Sequence, residues 1–245
     1  MVFSLVPTSW RRLALLIAGA GLLGASSCGR ETVQPDPVDT DYYPLAVGSY
    51  RIYQVEDRNY LDNRQVGATV ISQRRERVTD SYTDAAGMLT YRIIRSVRAN
   101  AGAAWQDDSV LSVTVKPTAV ELTSNNRRTL ELVFPAKNGV SWNRNVYNDR
   151  DTVVAKNRQY EAVGATYKIG NLTFDNTITT VDPSADTIFY RRSQRQIFAR
   201  GVGRVYRQTR VFNYCQGVQG QNCQVGTGYI VIGEEHVEKL IEKGP

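Results

Sequence analysis

The sequence predicts an all-β fold: one mainly antiparallel domain of about ten or more strands, closed or covered as a barrel, half-barrel or sandwich. Three observations carry this. First, apolar and polar residues alternate with a period of two, the mark of strands with one wet face. In VLSVTVKP, Leu111, Val113 and Val115 alternate with Ser112, Thr114 and Lys116; in AVELTS, Val120 and Leu122 alternate with Glu121 and Thr123; in TLELVFP, Leu130, Leu132 and Phe134 share one side. Second, turn signals punctuate these runs: DAAG at 84–87, Asn125-Asn126, Asn138-Gly139 and Asp182-Pro183. Third, no window between about residues 47 and 232 keeps apolar residues at helical spacing over three turns. The terminal stretch EEHVEKLIEK fits a short helix or an edge strand equally well.

Taken in order, the chain opens on a targeting segment. Residues 1–12 end in Arg11 and Arg12, residues 13–24 form the uncharged run LALLIAGAGLLG, and the small residues Ala25, Ser26 and Ser27 follow. A basic lead, a short apolar run and small residues at a cleavage point read as a secretory signal. A membrane span is excluded by length, since it needs about 20 apolar residues. An ordinary cleavage site does not require the cysteine that comes next. The stretch ASSC, ending in Cys28, resembles the lipobox of bacterial lipoproteins, with Ala25 where that family favours Leu. The resemblance implies cleavage before Cys28 and acylation of its thiol and new amine. Two or more acyl chains give a stable hold where one is marginal. Residues 28–41 carry Pro35, Pro37 and several acids with little that is apolar, and read as a tether. The domain is expected over residues 42–245.

Removing residues 1–27 from 245 leaves 218, enough for one sizeable core, and takes the formal charge from +6 to +4 by removing Arg11 and Arg12. A chain so mildly basic, and exported, is not a nucleic-acid partner. With Cys28 assigned to lipid, Cys215 and Cys223 remain in the Gly- and Gln-rich stretch NYCQGVQGQNCQVG. In an oxidising compartment such a pair is expected to bridge. A metal site is the rival reading, but the spacing is not C-x-x-C and no histidine lies nearby.

At Asp41–Val55 the sequence reads DYYPLAVGSYRIYQV, and at Gly201–Tyr206 it reads GVGRVY. Together with the lipobox cysteine, these two marks resemble a group of uncharacterised Bacteroidota lipoproteins with YYPL-x-VG-x-Y after the tether and GVG-x-V-Y near the end. The resemblance implies an all-β, lipid-anchored envelope protein, and brings no activity. Read as residues, Gly48 suits a turn into the first strand, and Gly201 with Gly203 a bulge or tight bend. Tyr43, Tyr50 and Tyr53 read as core or edge aromatics.

Motifs of catalysis do not appear. The single histidine, His236, reads as a solvated side chain in EEHVE, which is not the H-E-x-x-H zinc helix; no G-x-S-x-G or phosphate-binding loop occurs. No catalytic residue, metal ligand or cofactor is expected. If residues 204–214 form an unbroken exposed strand, Arg204, Tyr206, Arg210 and Phe212 make an aromatic-cationic strip suited to an anionic glycan or envelope polymer. The plainer reading is arginine stems lying over tyrosine rings for stability alone. The leading functional expectation is therefore a non-catalytic binding or scaffold module, lipid-anchored in the cell envelope, at the outer membrane, with a glycan or another envelope protein as partner. A carrier enclosing an apolar ligand in a barrel is the alternative, and a hydrolase with dispersed carboxylates ranks last.

Overall fold

Alternation and tight turns run the chain back and forth through twelve antiparallel strands. The computed structural model describes residues 39–148, 153–182, 187–218, 220 and 222–245. Cys28, the signal and most of the tether lie outside the described residues. A 3-10 turn at Asp39–Tyr42 leads into β1 (Tyr50–Leu61), β2 (Arg64–Thr83), β3 (Leu89–Arg98), β4 (Gln106–Lys116), β5 (Ala119–Ser124) and β6 (Arg127–Val133). After these come β7 (Ser141–Asn143), β8 (Asn157–Ile169), β9 (Leu172–Asp182), β10 (Tyr190–Ala199), β11 (Gly203–Tyr214) and β12 (Ile230–Gly244). Asp39 to Asp41, expected at the end of the tether, therefore belong to the fold.

All strands lie in one sheet, ordered β6-β5-β4-β3-β2-β1-β12-β11-β10-β9-β8-β7. Every strand but β6 and β7 pairs with its neighbours in sequence, and the first and last strands, β1 and β12, also pair with each other from Tyr50↔Gly244 to Leu61↔Ile232. The sheet thus curls into a nearly closed barrel whose two end strands, β6 and β7, are consecutive. They meet through few bonds: the Leu130 amide donates to the Arg144 carbonyl at 2.9 Å, and the Trp142 indole donates to the Leu130 carbonyl at 3.2 Å. Beside them the Tyr160 hydroxyl donates to the Val133 carbonyl at 2.7 Å. The Asn138-Gly139 mark falls at this seam, where the sheet ends are joined without a ladder. Among the tight hairpins are Asp62-Asn63 and Asn125-Asn126, all four residues at positive φ, as mirror-image turns between twisted strands require. EEHVEKLIEK resolves as the body of β12, the strand that joins the two halves of the sheet.

Antiparallel alternation puts residues 62–63, 99–105, 125–126, 215–218 and 222–229 at one end, the rim, and residues 84–88, 134–140 and 200–202 at the other, the floor. The opening segment closes the floor. The Gly201 amide donates to the Asp41 carbonyl at 2.8 Å, the Ala136 amide to Asp39 Oδ2 at 2.7 Å, and the Arg200 guanidinium lies 4.6 Å over the Tyr42 ring. Tyr42 and Tyr43 join an apolar floor layer with Val78, Ile93, Leu132 and Phe198.

The two sequence marks that lie about 150 residues apart meet here, on Arg51. Its Nε donates to the Val202 carbonyl at 2.6 Å and its Nη2 to the Pro44 carbonyl at 2.5 Å. Gly203, at φ +90°, sits so close that an added Cβ would lie 2.8 Å from the pinned guanidinium carbon. Gly203→Ala is expected to destabilise the chain by about 2–4 kcal/mol, combining a left-handed backbone with overpacking. Urea unfolding measures this, and an unchanged midpoint would show that Arg51 is not held.

Candidate ligand site in the barrel lumen

The strands of a barrel send alternate side chains inward, and here several of those are charged. Above the apolar floor, on the rim side, sit two ion clusters. In the first, Arg158, fully buried, lies between Glu131 (2.8 Å) and Asp182 (2.5 Å). Arg144 pairs with the same two carboxylates at 3.1 and 3.6 Å, and Gln196 donates to Glu131 at 3.2 Å. In the second, Arg204 lies between Glu76 (2.8 Å) and Glu238 (2.9 Å), with its guanidinium 4.9 Å from the Tyr53 ring centroid. Arg95 also reaches Glu76, at 3.3 Å, and Arg74 pairs closely with Glu238.

Burial alone would raise the lumen carboxyls, because it penalises charge. Arg158 and Arg144 outweigh it at Glu131, and Arg204 outweighs it at Glu238, so both are held well below the usual carboxylate range. Glu76 is lowered in the same way by Arg204 and Arg95. Burial likewise opposes the charge on Arg204, but Glu76 and Glu238 raise its pKa further. These carboxylates are therefore ionised and occupied by arginines.

Between the clusters is a cavity of about 180 Å³. Arg95, Arg144, Arg204 and Arg207 line it, with Gln194, Gln196 and one carboxylate, Glu131. Three of the four arginines have carboxylate partners. Arg207 has none within 4.0 Å among the described residues. Burial pulls its pKa down to about 10, Glu238 resists, and Arg204 and Arg95 add to the fall. The Nε groups of all four arginines are buried without a hydrogen-bond acceptor.

The expected strip on β11 does not form. Against β10 the register passes from Ile197↔Tyr206 to Phe198↔Arg204, so Val205 is an extra, bulged residue. The bulge turns Arg204 inward, away from Tyr206. Tyr206 is half-buried against Tyr167, with ring centroids 5.7 Å apart. Arg210 spends its charge on Glu235 at 2.7 Å, and Phe212 is buried edge-on to Tyr60 at 5.3 Å. A cationic-aromatic patch does occur elsewhere: Trp105 is flanked by Arg75 at 4.7 Å and Arg98 at 4.2 Å. A single inserted residue, Val205, thus breaks the phase that an unbroken strand would keep.

His236 is likewise not a free solvated side chain. Its Nδ1 lies 2.6 Å from Asp57 and its Nε2 3.1 Å from Glu238. Cys215 and Cys223 are bridged, with Cα atoms 6.0 Å apart, on the rim. Reduction opens a loop with sequence separation 8, a change worth about 2.5 kcal/mol in the chain-entropy account. Unreduced protein is expected to take up no alkylating label at these two residues, and full labelling would contradict the bridge.

Nothing local in the sequence marks Arg207, Arg95, Arg144 and Arg158 as inward-facing, because the period-two pattern alone does not tell a polar lumen from a solvated face. The available signal lay in β12, where Glu235, His236, Glu238 and Lys239 put polar groups on both faces. A strand in the middle of a sheet that is polar on both faces implies a polar interior.

No protein-family model matches the chain, and no curated protein matches it. Among solved structures, a "putative lipoprotein" of Parabacteroides distasonis ATCC 8503 is similar over 82% of this chain and 98% of its own, at 11% identity and a TM-score of 0.39. That similarity is too loose to carry an argument.

Proposed function

We propose that the chain is a lipid-anchored cell-envelope protein, held in the outer membrane by acyl chains on Cys28, and that its barrel is a non-catalytic binding module. The anchor rests on the signal segment and the ASSC stretch. The binding role rests on the lumen: an arginine-lined cavity that contains a cation without a carboxylate partner within 4.0 Å among the described residues. The barrel itself does not suit a bilayer. Its face opposite the lumen carries Glu56, Arg58, Arg210, Glu235 and Lys239, joined by ion pairs, where a membrane barrel has an apolar band. Among the described residues no helix is long and apolar enough to cross a membrane.

The polar lining argues against an apolar-ligand carrier, and the arginine-bound carboxylates argue against a hydrolase using them as acid or base. A glycan partner finds its cationic-aromatic surface at Arg75, Trp105 and Arg98 rather than on β11. Intact mass and membrane fractionation test the anchor. Mature protein is expected in the membrane fraction with the mass of acyl chains on Cys28, and globomycin is expected to block its processing. Water-soluble protein without acyl mass would overturn the reading.

A further inference from the structure

We propose that the lumen cavity is a binding site for a small oxyanion, a phosphate or carboxylate group, held by Arg207 with Arg95, Arg144, Arg204 and the amides of Gln194 and Gln196. This deepens the reading of the barrel as a binding module and is independent of the Cys28 anchor.

Charge is the first observation. The cavity lining holds four arginines against one carboxylate, and that carboxylate, Glu131, is already engaged by Arg158, Arg144 and Gln196. Arg207 faces this space among Glu238, Arg204, Glu131 and Arg95, with neither carboxylate within 4.0 Å of it. Arg207 is half-buried, with its Nε out of contact with water, and a charge partly withdrawn from water without a close counterion is costly. Here the chain supplies no partner among the described residues.

Hydrogen-bond demand is the second. The Nε groups of Arg95, Arg144, Arg204 and Arg207 are buried and lack acceptors. Each missing bond costs free energy, and an oxyanion offers several acceptors at once. Guanidinium forks match the planar or tetrahedral oxygens of carboxylates and phosphates better than an ammonium does, and the lining residues are arginine without a lysine. Gln194 and Gln196 carry side-chain amides that can turn donors toward the same oxygens.

Size is the third. A volume of about 180 Å³ admits an oxyanion with a few waters and excludes a lipid or an extended polymer. The apolar floor under Phe198 and Tyr43 closes one side. Ligand entry is therefore expected from the rim, the end that carries the disulfide loop.

The test uses the mature acylated chain in nonionic detergent, with melting temperature read in chloride buffer and then with sodium phosphate or sodium acetate at equal ionic strength. Phosphate or acetate is expected to raise the melting temperature saturably, as a ligand selective for the native state must. A rise with phosphate alone identifies a phosphoryl ligand, and a rise with acetate alone a carboxylate. Arg207→Gln is expected to remove the rise; Arg207→Lys, which keeps charge but loses the fork, is expected to weaken binding at least about tenfold. The double variant Arg92→Gln with Arg195→Gln, at two exposed ion pairs outside the lumen, is expected to keep it. No rise with either oxyanion, or a rise that survives Arg207→Gln, overturns the site without touching the anchor, which fractionation judges separately.

Discussion

Arg158→Ala is expected to lose about 3–5 kcal/mol of unfolding free energy, the usual cost of breaking a buried ion pair by removing one partner. Arg158 is fully buried, and its guanidinium touches Asp182 through Nε and Nη2, Glu131 through Nη1, and Gln194 through Nη2. The truncation leaves Glu131 and Asp182 facing each other across the seam where β6, β8 and β9 converge. Arg144 and Lys156 remain near Asp182, at 3.6 and 3.3 Å, and keep the loss from being greater. Because the closure between β6 and β7 relies on few bonds, the same variant is expected to open the seam first. Faster amide exchange at Leu130 and Val133 than in β1 or β12 would show this. A loss below about 1 kcal/mol would mean the cluster is solvated like a surface pair.

Acid is the second large effect. Glu76, Glu131, Glu235 and Glu238 all have folded-state pKa values lowered by arginine partners that outweigh burial. A carboxyl with a depressed folded pKa contributes stability above its unfolded value, about 4.3, and loses it as pH falls through the folded value. Urea midpoints are therefore expected to hold level from pH 8 to about 5 and to fall steeply below about 4. Level midpoints down to pH 3 would contradict ionised, buried carboxylates. Glu131 and Glu238 should dominate, since both lie far below the ordinary range.

Much of this fold is legible in the sequence because its physics is local. Leu111, Val113 and Val115 alternate with polar residues since one face of β4 meets the interior, and Asn125-Asn126 turn where a two-residue hairpin needs positive φ. Gly48 and Gly203 sit at the positive φ that their marks suggested. What escaped is set by pairing across the barrel. Nothing in GVGRVY announces that Val205 is bulged, yet that residue decides whether Arg204 meets solvent or Glu76. Nor does local pattern tell that Glu131, Asp182 and Arg158, from three strands, converge. The polar lumen violates the expectation that inward faces are apolar, as functional and strained sites do. His236 illustrates the same point: among charges in sequence it looked solvated, but in the barrel it is clamped by Asp57 and Glu238.

The ligand site rests on Arg207, a lumen arginine that no carboxylate pairs within 4.0 Å among the described residues and that is therefore left for a ligand. The most direct measurement is a side-by-side melt of Arg158→Gln and Arg207→Gln in chloride buffer without added oxyanion. Arg158→Gln strips two buried carboxylates of their most buried counterion, leaving only Arg144 and Lys156, and is expected to melt well below the parent. Arg207→Gln removes a half-buried charge that has no carboxylate within 4.0 Å among the described residues, opposed by Arg204 and Arg95 and favoured by the more distant Glu238 and Glu131, so it is expected to melt much closer to the parent than Arg158→Gln does. A fall for Arg207→Gln comparable to that for Arg158→Gln would mean that Arg207 is part of the folded network, and would contradict the account.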